Sequence, residues 1–155
     1  MITVKTTTVI ARPPAEIFAF LTDARTMPLW HRRAIRVDLD SSGPFGVGST
    51  WTAVVRTVPP GSVRRLQCTV TEHIPNRRLM SWTRSLPFVM GTGCELTSAN
   101  GQTRVGCIRE IKLRGLWHLL RPLIQSILEQ DMVLEAVDLQ RVVASRVPAP
   151  PREQM

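Results

Sequence analysis

The residues able to do chemistry are few and scattered. The chain has three histidines, His31, His73 and His118, and three cysteines, Cys68, Cys94 and Cys107. No pair of histidines has a local metal-binding spacing such as H-x-x-x-H, and no Ser/His/Asp order stands out for nucleophilic catalysis. Each histidine reads as an ordinary surface or half-buried side chain. Tyrosine is absent, so no phenol is available as a proton donor. The informative group is Arg109, a cation inside an alternating run, Thr103 to Leu113. A guanidinium directed into an apolar layer is costly unless paired, and it binds a carboxylate or oxygenated head group in bidentate fashion. Glu72, on the alternating face Leu66, Cys68, Val70, Glu72, Ile74, is its candidate partner; a bulge near Arg109 would turn it to solvent instead.

The elements that must position these groups are legible. Asn100-Gly101, between two alternating runs, predicts a two-residue hairpin turn. Its register sets Ala99 opposite Gln102, Leu96 opposite Val105, Cys94 opposite Cys107, Thr92 opposite Arg109 and Met90 opposite Ile111, all but the first pair named here sharing one face. Cys94 and Cys107 facing each other could form a disulfide or a soft-metal pair; two small buried hydrophobes is the reading favoured for a reduced compartment. Further strands are predicted over 2–11, 34–40, 49–58, 63–74, 78–86, 88–98 and 103–113, the separators being Pro59-Pro60-Gly61, Pro75-Asn76 and Pro87. Between the first two lie two short helices, Ala15 to Leu21 and a second, capped by Thr22 or Asp23, that ends at Pro28-Leu29-Trp30. From Gly115 to about Arg146 the period is helical, with Leu116, Leu119, Leu120, Leu123, Ile124, Ile127, Leu128, Leu134, Val137 and Val142 as its apolar stripe. Its first turns, Leu116 to Leu120 between Arg114 and Arg121, read either as part of that stripe or as a membrane-touching end.

Strand, two short helices, six strands and one long helix specify a two-layer α+β domain with a curved antiparallel sheet. The 155 residues suit one domain, expected over 1–146, with a Pro-rich tail over 147–155. The Gly-rich loop Ser41 to Gly48 lacks the Gly-Lys-Ser/Thr of a phosphate-binding loop. The net charge of +8 rests on 18 arginines and two lysines scattered along the chain, without a like-charge run, so nucleic acid is not the expected partner. No run of apolar residues is long enough to span a bilayer, the first residues read as a strand rather than a leader, and an odd, widely spaced cysteine count favours the cytoplasm.

Several segments together resemble the SRPBCC superfamily, the START-like, birch-pollen-allergen-like and polyketide cyclase/dehydrase and lipid-transport group. These are Val9-Ile10-Ala11-Arg12-Pro13-Pro14-Ala15-Glu16-Ile17-Phe18-Ala19-Phe20-Leu21-Thr22-Asp23 followed by Trp30; Gly43-Pro44 with Gly46-Val47-Gly48; Val70 to Leu79 with its Glu72, Pro75, Arg77 and Leu79; and Gly101-Gln102-Thr103-Arg104-Val105. The resemblance spans residues 3 to about 143. It implies a helix-grip fold, in which a seven-stranded sheet wraps a C-terminal helix around an apolar cavity. On that footing the expected function is binding, or transport, of a small hydrophobic molecule such as a lipid, polyketide or aromatic compound. The expected lining is Arg109, Glu72, Trp51, Met90, Thr92, Cys94, Cys107 and Ile111, with Phe88 at the mouth and Trp82. The alternatives are a cyclase/dehydrase-like enzyme using Arg109 and Glu72, and a non-catalytic module using its basic surface. No cofactor or metal, no stable membrane insertion, and a monomer or weak homodimer are expected.

Overall fold

The structure, a computed structural model, describes residues 1–56, 62–85 and 88–146. The tail expected over 147–155 and the separators at 57–61 and 86–87 lie outside the described residues.

Asn100 and Gly101 take φ of 50° and 77°, the left-handed pair that a two-residue turn with the twist of its strands requires. They join β6 (Phe88–Ala99) to β7 (Gln102–Lys112), with Leu96 opposite Val105, Cys94 opposite Cys107 and Thr92 opposite Arg109. The remaining strands are β1 (Ile2–Ile10), β2 (Ala34–Leu39), β3 (Thr50–Arg56), β4 (Val63–Ile74) and β5 (Arg78–Ser85). Among the described residues they form one seven-stranded antiparallel sheet in the order β1-β7-β6-β5-β4-β3-β2. Hairpins build β2 to β7 in sequence, and β1 closes onto β7 with Ile2 opposite Ile111.

The chain crosses from one edge of the sheet to the other through α1 (Pro14–Thr22), a 3-10 turn at Ala24–Thr26 and α2 (Met27–Trp30). Pro14 sits at the first position of α1, where its missing N–H costs nothing, and Ile17, Phe18, Phe20 and Leu21 are buried. Two local expectations change here. The Thr22 hydroxyl donates back to the Phe18 carbonyl, and Asp23 alone accepts the Arg25 N–H at the head of the turn. Pro28, Leu29 and Trp30 lie within α2 rather than stopping it, because proline in a first helical turn removes no bond.

The long helix begins as a 3-10 turn, Gly115–Leu120, and continues as α3, Arg121–Arg146. Its buried stripe is Leu128, Met132, Glu135, Leu139 and Val143, at successive steps of four, three, four and four. The expected stripe is therefore corrected. Leu116, Leu119, Leu120, Leu123, Leu134 and Val137 are exposed. The helix carries apolar residues on two opposite faces, and periodicity alone could not say which one meets the sheet.

The interior divides into two apolar clusters. One gathers Ile17, Phe18, Trp51, Val70, Leu139 and Val143; the other gathers Ile2, Val4, Ile111, Leu113, Leu128 and Met132. Cys107 packs against both, so the seam between them runs across the inner face of β7.

Candidate functional site

Arg109 stands at that seam, beside Cys107 and Ile111 on the inner face of β7, with Thr92 opposite on β6 and Val4 opposite on β1. It is 4 % exposed. Its partner is Glu135 of α3, also 4 % exposed: Nη2 donates to Glu135 Oε2 at 2.9 Å. The same nitrogen lies 2.9 Å from Nε2 of His31, which follows α2. A guanidinium can only donate, so Nε2 must accept and the ring proton sits on Nδ1. Nδ1 is 3.6 Å from Glu135 Oε1, beyond hydrogen-bond length. The Arg33 to Asp131 ion pair, 2.6 Å, pins the loop carrying His31 onto α3 one turn before Glu135.

Three polar atoms of this centre are buried without a hydrogen bond of ordinary length and angle: Arg109 Nε, His31 Nδ1 and Glu135 Oε1. That is two donors and one acceptor within one centre, His31 Nδ1 and Glu135 Oε1 lying 3.6 Å apart, where an unpaired polar group is costly. Burial, reinforced by Arg109 and Arg33, pushes the His31 imidazole down to about 3, so it is neutral at pH 7. Burial pushes the Glu135 carboxyl up, and the Arg109 guanidinium draws it back only in part. Arg109 and Glu135 thus form a buried salt bridge at 2.9 Å with a neutral imidazole on its flank.

The expected partner Glu72 is not there. Between Val70 and Glu72 the register of β4 against β5 shifts, Val70 facing Ser81 and Glu72 facing Met80. This β-bulge inserts one residue and exchanges the faces beyond it. Glu72 turns outward and bonds Arg78, while His73 turns inward against Phe18 and Phe45. Trp82 is likewise on the outer face. Leu79 pairs with inward Cys94, so Trp82, three residues on and paired with Gly91, points the other way. Gly91 leaves the space its ring occupies: a Cβ there would lie 2.8 Å from the indole. Lys112 Nζ sits 5.1 Å from the Trp82 ring centre on that same face.

The other expected lining residues face inward. Trp51 is buried and stacks with Phe45. Cys94 is buried, opposite Cys107, and Ile111 belongs to the second cluster. Both cysteines are free thiols, and burial pushes Cys94 up to about 12 and Cys107 up to about 11, so neither is a thiolate at pH 7. Phe88 packs edge-on against Trp117 at 5.1 Å, bringing the 3-10 turn against the start of β6. Cys68, Met90, Thr92 and Cys107 face inward yet remain partly exposed, so solvent reaches the inner face beside Arg109. Two open depressions lie elsewhere. One, about 500 Å³, is lined by Pro13, Ala15, Arg77 and Leu96. The other, about 530 Å³, surrounds Trp82 and Lys112 on the outer face. Neither reaches Arg109. Among the described residues no three His, Cys, Asp or Glu side chains could hold a metal ion, and no helix is long and apolar enough to cross a membrane.

His31 and Glu135 are the two members that sequence reasoning missed. His31 is isolated in a loop, and Glu135 stands in a helix whose register against the sheet was open. The available signal was the four-three-four spacing through Leu128, Met132, Glu135 and Leu139, with one carboxylate interrupting an apolar stripe.

Residues 1–144 match a family model described as polyketide cyclase / dehydrase and lipid transport. No curated protein matches significantly. Among solved structures, TTHA0849 from Thermus thermophilus superposes with a TM-score of 0.76 at 17% identity, covering 94% of this chain and 99% of that one. The Zhui aromatase/cyclase from Streptomyces sp. R1128 gives 0.77 at 13% identity, with 96% of each chain covered. The di-domain aromatase/cyclase StfQ of the steffimycin biosynthetic pathway gives 0.74 at 13% identity, covering 94% of this chain and 51% of that one. At these identities the likeness is one of fold: a helix-grip sheet with a long C-terminal helix.

Proposed function

Since this chain belongs to the polyketide cyclase / dehydrase and lipid transport family, we propose that it binds a small hydrophobic molecule between its sheet and α3. The polar end of that molecule meets Arg109, Glu135 and His31. One observation carries the reading: a buried ionic pair at the seam of two apolar clusters keeps two donors and one acceptor unused. An oxygen that both donates and accepts, as in a hydroxyl or enol, answers that set. Apolar walls with a few convergent polar groups are the usual make-up of a small-molecule site. Met90, Thr92 and Cys107 supply the adjoining wall, and Trp51, Cys94 and Ile111 lie deeper in it.

The test is native mass spectrometry of freshly purified protein, followed by titration with whatever apolar compound is found. Arg109→Met and Glu135→Gln should each weaken that compound by about tenfold or more, since each removes a charge-assisted bond. Unchanged affinity in folded variants refutes the assignment.

A second reading, a cyclase-like enzyme, is favoured by one feature, the raised pKa of Glu135 beside a cation. That Zhui and StfQ, which share this fold, are aromatase/cyclases supports the same reading. Glu135, in place of the outward-facing Glu72, would take a proton from a carbon between two carbonyls, and Arg109 would hold the enolate oxygen. Loss of turnover of a poly-β-keto substrate in Glu135→Gln, with binding retained, separates this from simple binding.

A further inference from the structure

The 3-10 turn Gly115–Leu120 and the first turn of α3 present apolar side chains to solvent. Leu116 is 81 % exposed, Leu119 77 % and Leu123 58 %, with Leu120 and Trp117 also exposed. Leu116, Leu119, Leu120 and Leu123 stand at helical spacing, so they form one face. Single exposed apolar residues need no explanation, but a contiguous face of four leucines does.

Charge says what covers it. Arg114 and Arg121 flank the face and are exposed, and no Asp or Glu occurs from Ile111 to Leu128. Among the described residues neither of these two cations forms an ion pair with a carboxylate. A second copy of the chain, itself at +8, would bring two cations against two with no acid to meet them. Leucines on one side, an indole at the edge and a cationic rim suit an anionic bilayer surface instead. There the apolar face enters the acyl boundary and the guanidinium groups stay among the phosphates. Trp117 lies at the edge of the face with its ring against Phe88, which packs on the second apolar cluster, so the docked face adjoins that cluster.

We propose that residues 114–123 are a peripheral docking surface for anionic lipid membranes. The inference stands apart from the inner polar centre and does not depend on what that centre binds.

The test is co-sedimentation of the full chain with phosphatidylcholine vesicles, with and without phosphatidylglycerol, over a range of salt. Binding should require the anionic lipid and weaken with salt. Leu116→Ser/Leu119→Ser should lower the partition by about tenfold or more. Arg114→Gln should lower it by about fivefold. Because both leucines protrude, the variants should keep the parent's circular dichroism and melting temperature. Failure to sediment with anionic vesicles overturns the proposal, as does undiminished binding of the double-serine variant. A concentration-dependent dimer abolished by the same substitutions, without vesicle binding, overturns it in favour of self-association.

Discussion

Replacing Arg109 by methionine isolates the energetics of the buried pair. At a charge separation of about 4 Å the attraction is about 4 kcal/mol for an effective dielectric constant near 20. Without it, Glu135 must stay ionised and unpaired, at several kcal/mol, or take up a proton. Protonation costs about 1.4 kcal/mol for each pH unit above the ordinary carboxyl value of 4.5. The variant follows the cheaper route, so its loss is capped at about 3.5 kcal/mol at pH 7 and about 0.7 kcal/mol at pH 5. The sign follows from linkage. The folded-state pKa of Glu135 is raised, so the folded chain holds a proton that the unfolded chain releases, and stability falls as pH climbs from 4.5 toward the folded value. Removing Arg109 lifts the folded value further and widens that window. Urea unfolding of parent and variant, followed by tryptophan fluorescence at pH 5, 6 and 7, measures this. An equal penalty at all three values would refute the reasoning. So would a double variant Arg109→Met/Glu135→Leu no more stable than the single one, since an apolar pair of similar size removes the stranded carboxyl.

Three further outcomes are expected. His31 has its pKa depressed to about 3 from 6.5, so its contribution to stability is complete above pH 6.5 and lost as pH falls toward 3; His31→Gln should flatten the slope of unfolding free energy against pH in that range, and an unchanged slope counts against a neutral buried imidazole. Gly93→Ala should cost about 3 kcal/mol in denaturant unfolding, because its Cβ would collide with Met80 Sδ and the Leu79 carbonyl, whereas Gly106→Ala, with its nearest neighbour at 3.6 Å, should be close to neutral; equal effects would mean that the β5–β6 packing is looser than described. Cys94, buried and with its thiol pushed up to about 12, should react with a disulfide reagent far more slowly in the native protein than the partly exposed Cys107; equal native rates would count against the burial of Cys94.

The local chemistry of the chain was enough to specify the scaffold. Asn100-Gly101 admits one turn type, and that turn fixes every pair from Ala99–Gln102 to Met90–Ile111 because the side-chain period of a strand is two. The inward direction of Arg109 follows from the same register. What surrounds Arg109 was settled only by the tertiary structure. A one-residue bulge after Val70 carried Glu72 to the outer face, and parity against Gly91 carried Trp82 there too. Neither shift leaves a mark in an alternating pattern. The rotation of α3 placed Glu135 against Arg109 and left Leu116 to Leu123 in solvent, a choice between two apolar faces that depends on packing against β1 and α2. His31 joined the centre across 78 residues of chain, held by the Arg33–Asp131 ion pair. Hydrogen-bonded strands are written in neighbouring residues and their period. The partner of a buried charge is decided by whichever elements meet over it, and that meeting exists only once the chain has closed.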